Sequence, residues 1–86
     1  MIDVNNLPEG AVLTVRDLIR MRSTVQQRES VVVEYAYSLP DADGNLGDPT
    51  IVGYEISYFV GGELTETKDA DSEEAALQLA SEHVAE

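Results

Sequence analysis

Three aspartates lie in one short segment of this 86-residue chain, among residues that are typical of turns. Residues 39–50 read LPDADGNLGDPT, so Asp41, Asp43 and Asp48 stand among glycines and prolines. Carboxylate oxygens bind Ca²⁺, whereas aspartate and glycine also favour tight turns. The segment is therefore open to three interpretations: a calcium loop, a hairpin turn, or part of a surface that is acidic for a functional reason.

The calcium interpretation fails at its two most diagnostic positions. A calcium-binding helix-loop-helix motif needs oxygen ligands at positions 1, 3 and 5, glycine at position 6 and glutamate at position 12. Counting from Asp41, the oxygen ligands Asp43 and Asn45 follow, but Leu46 takes the glycine position and Val52 the glutamate position. The spacing predicts a hairpin loop without a specific metal site, and no cofactor is expected.

Residues that carry catalysis are scarce. The chain has no cysteine, which excludes disulfides, thiolate metal sites and cysteine nucleophiles. Its one histidine, His83, has no evident nucleophile or metal-ligand companions and is expected to be structural. Carboxylate pairs such as Glu73 and Glu74 carry no catalytic information in so acidic a chain. The sequence therefore predicts a protein that is not an enzyme.

Charge is the strongest compositional feature. The chain has 17 acidic and 5 basic residues, a formal net charge of −12, and residues 29–86 hold fourteen acids against Lys68 alone. Such a field repels nucleic acids and anionic membranes, and it attracts basic proteins. The predicted partner is a basic protein surface, with no direct binding to nucleic acid or membrane. The alternative is an acidic surface kept for solubility or salt adaptation.

The length predicts one domain, spanning residues 1–86, and so short a chain buries only about 60% of its unfolded surface. A homodimer is therefore possible. No apolar run reaches the roughly 18 residues that cross a bilayer, and the first ten residues lack the order of a secretion signal. The expected location is the cytoplasm.

Residues 13–22, LTVRDLIRMR, have the spacing of a helix. Thr14 followed by Asp17 is a variant of the capping box, and Leu18 shares one helical face with its apolar neighbours. Arg22 falls in the middle of that face, so the helix is expected to fray there.

Two segments rich in β-branched and aromatic residues, 31–38 and 50–61, predict strands, and a polar edge strand is expected at 63–69. Alternation predicts one apolar, aromatic face and an opposite face that carries both Glu34 and Glu55 to solvent. Asp71 or Ser72 caps a final helix with two glutamates in its first turn. The predicted fold is α+β, a three-stranded antiparallel meander in the order α-β-β-β-α, with both helices on the aromatic face.

That order resembles the double-stranded-RNA-binding domain over residues 14–85, at the level of layout. In that family the last helix begins with a lysine-rich stretch that binds phosphates. Here the corresponding residues are SEEAA, with Glu73 and Glu74 where lysines are needed. The resemblance therefore implies the layout but not the binding of duplex RNA.

In size and composition the chain is similar to the small acidic inhibitors that bacteriophages encode, including anti-CRISPR proteins and DNA mimics. The resemblance implies a protein that acts in the host cytoplasm and places carboxylates where a nucleic-acid-binding target expects phosphates. The competing hypothesis is a non-catalytic structural or assembly subunit, such as a homodimer formed through an apolar sheet edge. Under the first hypothesis the partner-binding residues are Glu34, Asp41, Asp43, Asp48, Glu55, Glu63, Glu66, Asp69, Asp71, Glu73 and Glu74.

Overall fold

A computed structural model describes residues 2–85 as four strands followed by one helix. The strands form a single antiparallel sheet in which neighbours in sequence are neighbours in space, in the order β1-β2-β3-β4. No helix within residues 2–85 is long and apolar enough to cross a membrane. The elements are β1 (Val12–Ser23), β2 (Arg28–Ser38), β3 (Thr50–Val60), β4 (Glu63–Ala70) and α1 (Glu73–Val84).

The predicted N-terminal helix is wrong, because that segment is β1. It pairs with β2 along its whole length, from Val12 opposite Ser38 to Ser23 opposite Arg28. The sheet therefore has four strands, and the order is β-β-β-β-α instead of α-β-β-β-α. Because the first element is a strand and not a helix, the layout does not match that of the double-stranded-RNA-binding domain.

A β-bulge explains why β1 has the spacing of a helix. The register with β2 shifts between Asp17 and Ile19, which leaves Leu18 as an extra residue in the strand. A bulge breaks the alternation of side chains, so Leu18 and Met21, three positions apart, both pack against the hydrophobic core. Three-residue spacing is the helical signal, and here the bulge produces it within a strand.

The other predicted elements are confirmed to within a few residues. β2, β3 and β4 occupy the three predicted strand segments, and α1 is the predicted C-terminal helix. Ser72 is its N-cap, since its hydroxyl oxygen accepts a hydrogen bond of 3.1 Å from the backbone N–H of Ala75. Glu73 and Glu74 lie in the first turn, where negative charge stabilises the helix dipole.

The register between β2 and β3 decides which residues share a face of the sheet. Val32 lies opposite Ile56, and Glu34 lies opposite Tyr54. Residues directly opposite on neighbouring strands point to the same face. The prediction that Glu34 and Glu55 share a face is therefore wrong, because the register of the two strands differs by one residue from the one assumed. Glu34 therefore lies on the face that α1 covers, while Glu55 lies on the other face, called the open face below.

The core lies between α1 and the centre of the sheet. Ala76 and Ala80 are fully buried, which lets the helix approach the strands closely. The hydroxyl of Ser30 donates a hydrogen bond of 2.9 Å to the carbonyl oxygen of Ala80. The ring of His83 stacks on that of Tyr58 at 4.3 Å between centroids, so the only histidine packs as part of the fold.

The tyrosines make stability sensitive to alkaline pH. Burial raises the pKa of Tyr54 and of Tyr58 above the ordinary value of 10.0, and nearby carboxylates add to the effect. A raised pKa means that the folded state favours the neutral phenol, so this contribution is complete below pH 10 and is lost as the pH rises further. We expect urea unfolding to show a falling free energy of unfolding above about pH 10, with a smaller fall in Tyr58→Phe. A fall of the same size in that variant would contradict the assignment.

Candidate functional site

Six of the predicted partner-binding acids come together along one edge of the molecule, called the acidic edge below. β4 is an edge strand, and α1 begins directly after it, so the acids in the first turn of α1 continue those of β4. All six residues are exposed. The one basic residue among them, Lys68, has its amine 5.9 Å from the centre of the Tyr58 ring. The acidic edge consists of Glu63, Glu66, Asp69, Asp71, Glu73 and Glu74.

A second group lies in the exposed loop between β2 and β3. The carboxylate of Asp41 accepts hydrogen bonds of 2.9 Å from the backbone N–H groups of Asp43 and Asn45. The loop reverses at Gly44, whose φ of +84° is one that glycine adopts readily. Asp41 is therefore a turn former, and no group of three metal-ligating side chains is found within residues 2–85. Asp48, also exposed, is the third acid of this loop.

The two glutamates of the central strands do not belong with the acidic edge. A carboxylate oxygen of Glu34 lies 3.2 Å from the guanidinium of Arg16, and only 14% of the Glu34 side chain is exposed. Glu55 accepts a hydrogen bond of 3.4 Å from the hydroxyl of Tyr35. Burial, together with the charge of Glu55, raises the pKa of that tyrosine. Both carboxylates are thus engaged by the protein itself.

Glu55 faces a second carboxylate across the sheet, because it lies directly opposite Asp69 of β4. Like charges in this position are destabilising. We expect Glu55→Gln to raise the free energy of unfolding by about 0.2–1 kcal/mol, since the amide oxygen still accepts from Tyr35 while the repulsion is removed. Urea denaturation measures the change, and Glu66→Gln, which lies opposite Tyr58, is the control that should leave stability nearly unchanged. A loss of stability in Glu55→Gln would contradict the repulsion.

The arginines form ion pairs at the opposite edge of the sheet, on β1. Arg20 and Arg22 both bind the carboxylate of Glu29, the second at 2.9 Å, and Arg16 binds Glu34. Because the sequence analysis interpreted this segment as a helix, it did not assign these pairs. The alternation of side chains in a strand would have indicated them, because it puts Arg20 and Arg22 on the same face.

A concave region of about 340 Å³ lies where the β1–β2 and β3–β4 turns meet. Arg22, Arg28 and Phe59 contribute to its walls. Glu29 also lines the region, and its carboxylate binds Arg22.

The geometry is that of a polarised sheet, with paired charges at β1 and exposed carboxylates at β4 and the start of α1. Comparison with protein-family models, curated proteins and solved structures finds no match to this chain. Its function is therefore inferred from this surface alone.

Proposed function

We propose that this protein is a non-catalytic inhibitor that binds the basic, nucleic-acid-binding surface of a target protein through its acidic edge. The observation that carries the proposal is the contrast between the two edges of the sheet. Glu29 and Glu34 are neutralised by arginines, whereas Glu63, Glu66 and Glu73 form no ion pair within the described residues. Those exposed carboxylates are free to meet the lysines and arginines of a partner.

The spacing of the carboxylates can be compared with that of phosphates in a nucleic-acid strand. A strand rises by about 3.3 Å per residue, so Glu63 and Asp69 are about 20 Å apart along β4. One DNA strand carries a charge about every 3.4 Å, or about six phosphates over the same length. β4 places Glu63, Glu66 and Asp69 within that length, about half the charge density of one DNA strand. Three more carboxylates follow directly at the turn into α1: Asp71, Glu73 and Glu74.

Because the proposed binding is electrostatic, competition with DNA at different salt concentrations tests it. We expect the protein to displace labelled duplex DNA from a nucleic-acid-binding target, in a panel of host complexes, at low salt. Surface charges are screened beyond about 10 Å at 0.1 M salt, so displacement should weaken at least tenfold near 0.5 M. The absence of displacement across the panel, or displacement that ignores salt, would contradict the proposal. The proposed place of action is the cytoplasm, that of a host if the chain is encoded by a phage.

A second candidate function is a structural or assembly subunit, and one observation favours it. Four of the exposed large hydrophobic residues lie on β1, one of the two edge strands: Val12, Leu13, Val15 and Ile19. An apolar edge of this kind is suited to association with another chain.

A further inference from the structure

The outer edge of β1 is long and unpaired, and its first four residues are mostly apolar. β1 has 12 residues and, within the described chain, its only strand partner is β2. Its backbone N–H and C=O groups on the outer side are therefore available to another strand. Residues 12–17 are all exposed, and Val15 retains 53% of its accessible surface.

The apolar surface continues from the edge onto the open face. Leu13 lies directly opposite Tyr37, and Val15 lies directly opposite Tyr35, so the four side chains form one cluster beside the outer edge. Both tyrosines are half-buried, and α1 lies on the other face of the sheet. A strand added to β1 would extend the sheet and cover this cluster.

The distribution of charge favours a second copy of the chain as the partner of the β1 edge. The three arginines of β1 are balanced by Asp17 of the same strand and by Glu29 and Glu34, which they bind. This edge is therefore close to neutral in a chain whose net charge is −12. At the acidic edge two copies repel each other, so β1 is where like chains can approach.

We propose that β1 pairs antiparallel with β1 of a second copy about a two-fold axis within residues 13–17. Two-fold dimers bring the same surface of each copy together, and such an axis makes identical edge strands antiparallel. The product is a continuous eight-stranded sheet with both α1 helices on one side and an acidic edge at each end. This dimer stands independently of the proposed inhibition, which it would make bivalent.

Sedimentation velocity over a range of concentrations tests the dimer. Val15→Arg should raise the dimer dissociation constant at least tenfold, because the new arginines of the two copies lie close together at the axis and repel each other. Leu64→Arg is the matched control, since Leu64 is 54% exposed on β4 and should leave the constant unchanged. At concentrations where the chain is monomeric, both variants should keep the wild-type free energy of unfolding. A wild-type chain that stays monomeric up to about 100 μM, or equal effects of the two variants, would overturn the dimer.

Salt separates this association from the binding of a basic target. Screening reduces repulsion between two acidic chains, so dimerisation should strengthen with added salt, whereas binding of a basic target should weaken. Dimerisation that weakens with salt would show that the acidic edge takes part in it and would overturn the assignment to β1.

Single cysteines locate the two-fold axis without interference, since the chain has none of its own. A disulfide forms only where two Cα atoms come within about 7 Å, which in an antiparallel dimer happens near the axis. A scan across 13–17 should give one maximum of oxidative cross-linking that falls within two residues on each side. Thr67→Cys on β4 is the control and should cross-link poorly. Equal cross-linking at Thr67→Cys would overturn the proposal.

Discussion

Ile56→Ala is expected to lower the free energy of unfolding by about 2–5 kcal/mol. Ile56 has no accessible surface and is the largest fully buried side chain within residues 2–85. It lies opposite Val32 beneath α1, so truncation leaves a cavity in the centre of the core. Since domains are stable by about 5–15 kcal/mol, such a loss threatens the folded state itself.

Ile51→Ala is the matched control for this prediction. It is the same substitution in the same strand, but Ile51 is 43% exposed and lies beyond the part of the sheet that α1 covers. Its expected cost is about 0.5 kcal/mol or less, as for other surface positions. Urea denaturation of both variants gives the comparison. Similar losses would contradict a core that is centred under α1.

Neutralising four residues of the acidic edge is expected to weaken binding of a basic target by at least about fourfold. The substitutions are Glu63→Gln, Glu66→Gln, Glu73→Gln and Glu74→Gln, which keep the size of each side chain. Exposed ion pairs contribute about 0.2–1 kcal/mol each, so four of them amount to a factor between about four and nine hundred. The DNA-displacement assay at low salt measures the loss. A check of unfolding is needed, because the charges of Glu73 and Glu74 also stabilise the first turn of α1.

The control changes the same number of charges elsewhere. Asp3→Asn, Glu9→Gln, Asp43→Asn and Asp48→Asn alter exposed acids outside β4 and α1 and leave the turn-forming Asp41 intact. If the acidic edge is the binding surface, this variant should lose far less affinity than the first. Equal losses would mean that affinity follows net charge alone. A larger loss in the control would mean that the binding surface includes these four acids instead of the acidic edge.

Features that depend on near neighbours in the chain could be predicted from the sequence. The strands 31–38 and 63–69, a helix cap at Asp71 or Ser72 and the turn role of Asp41 each follow from local propensity or from hydrogen bonds that span a few residues. The exposure of the carboxylates along β4 is local in the same sense, since a polar segment at a sheet edge meets water on both faces.

The candidate surface itself could be predicted only in part. The eleven acids proposed as one set are divided by the fold into an edge, a loop and two engaged glutamates. Glu34 was placed beside Glu55 because the faces of β2 and β3 were combined without knowledge of their register. A shift of one residue moves every side chain to the opposite face, and no local pattern fixes that shift.

The sequence by itself determined the sign of the charge, the absence of cysteine chemistry and the positions of β2, β3, β4 and α1. Only the tertiary structure decided that residues 12–23 form a strand, because the extra residue at the Leu18 bulge imitates helical spacing until β2 is in place. Tertiary pairing also decided which carboxylates the arginines neutralise, and therefore which edge of the sheet is left acidic. Long-range pairing sets these features, since each depends on residues far apart in the chain that meet only in the sheet.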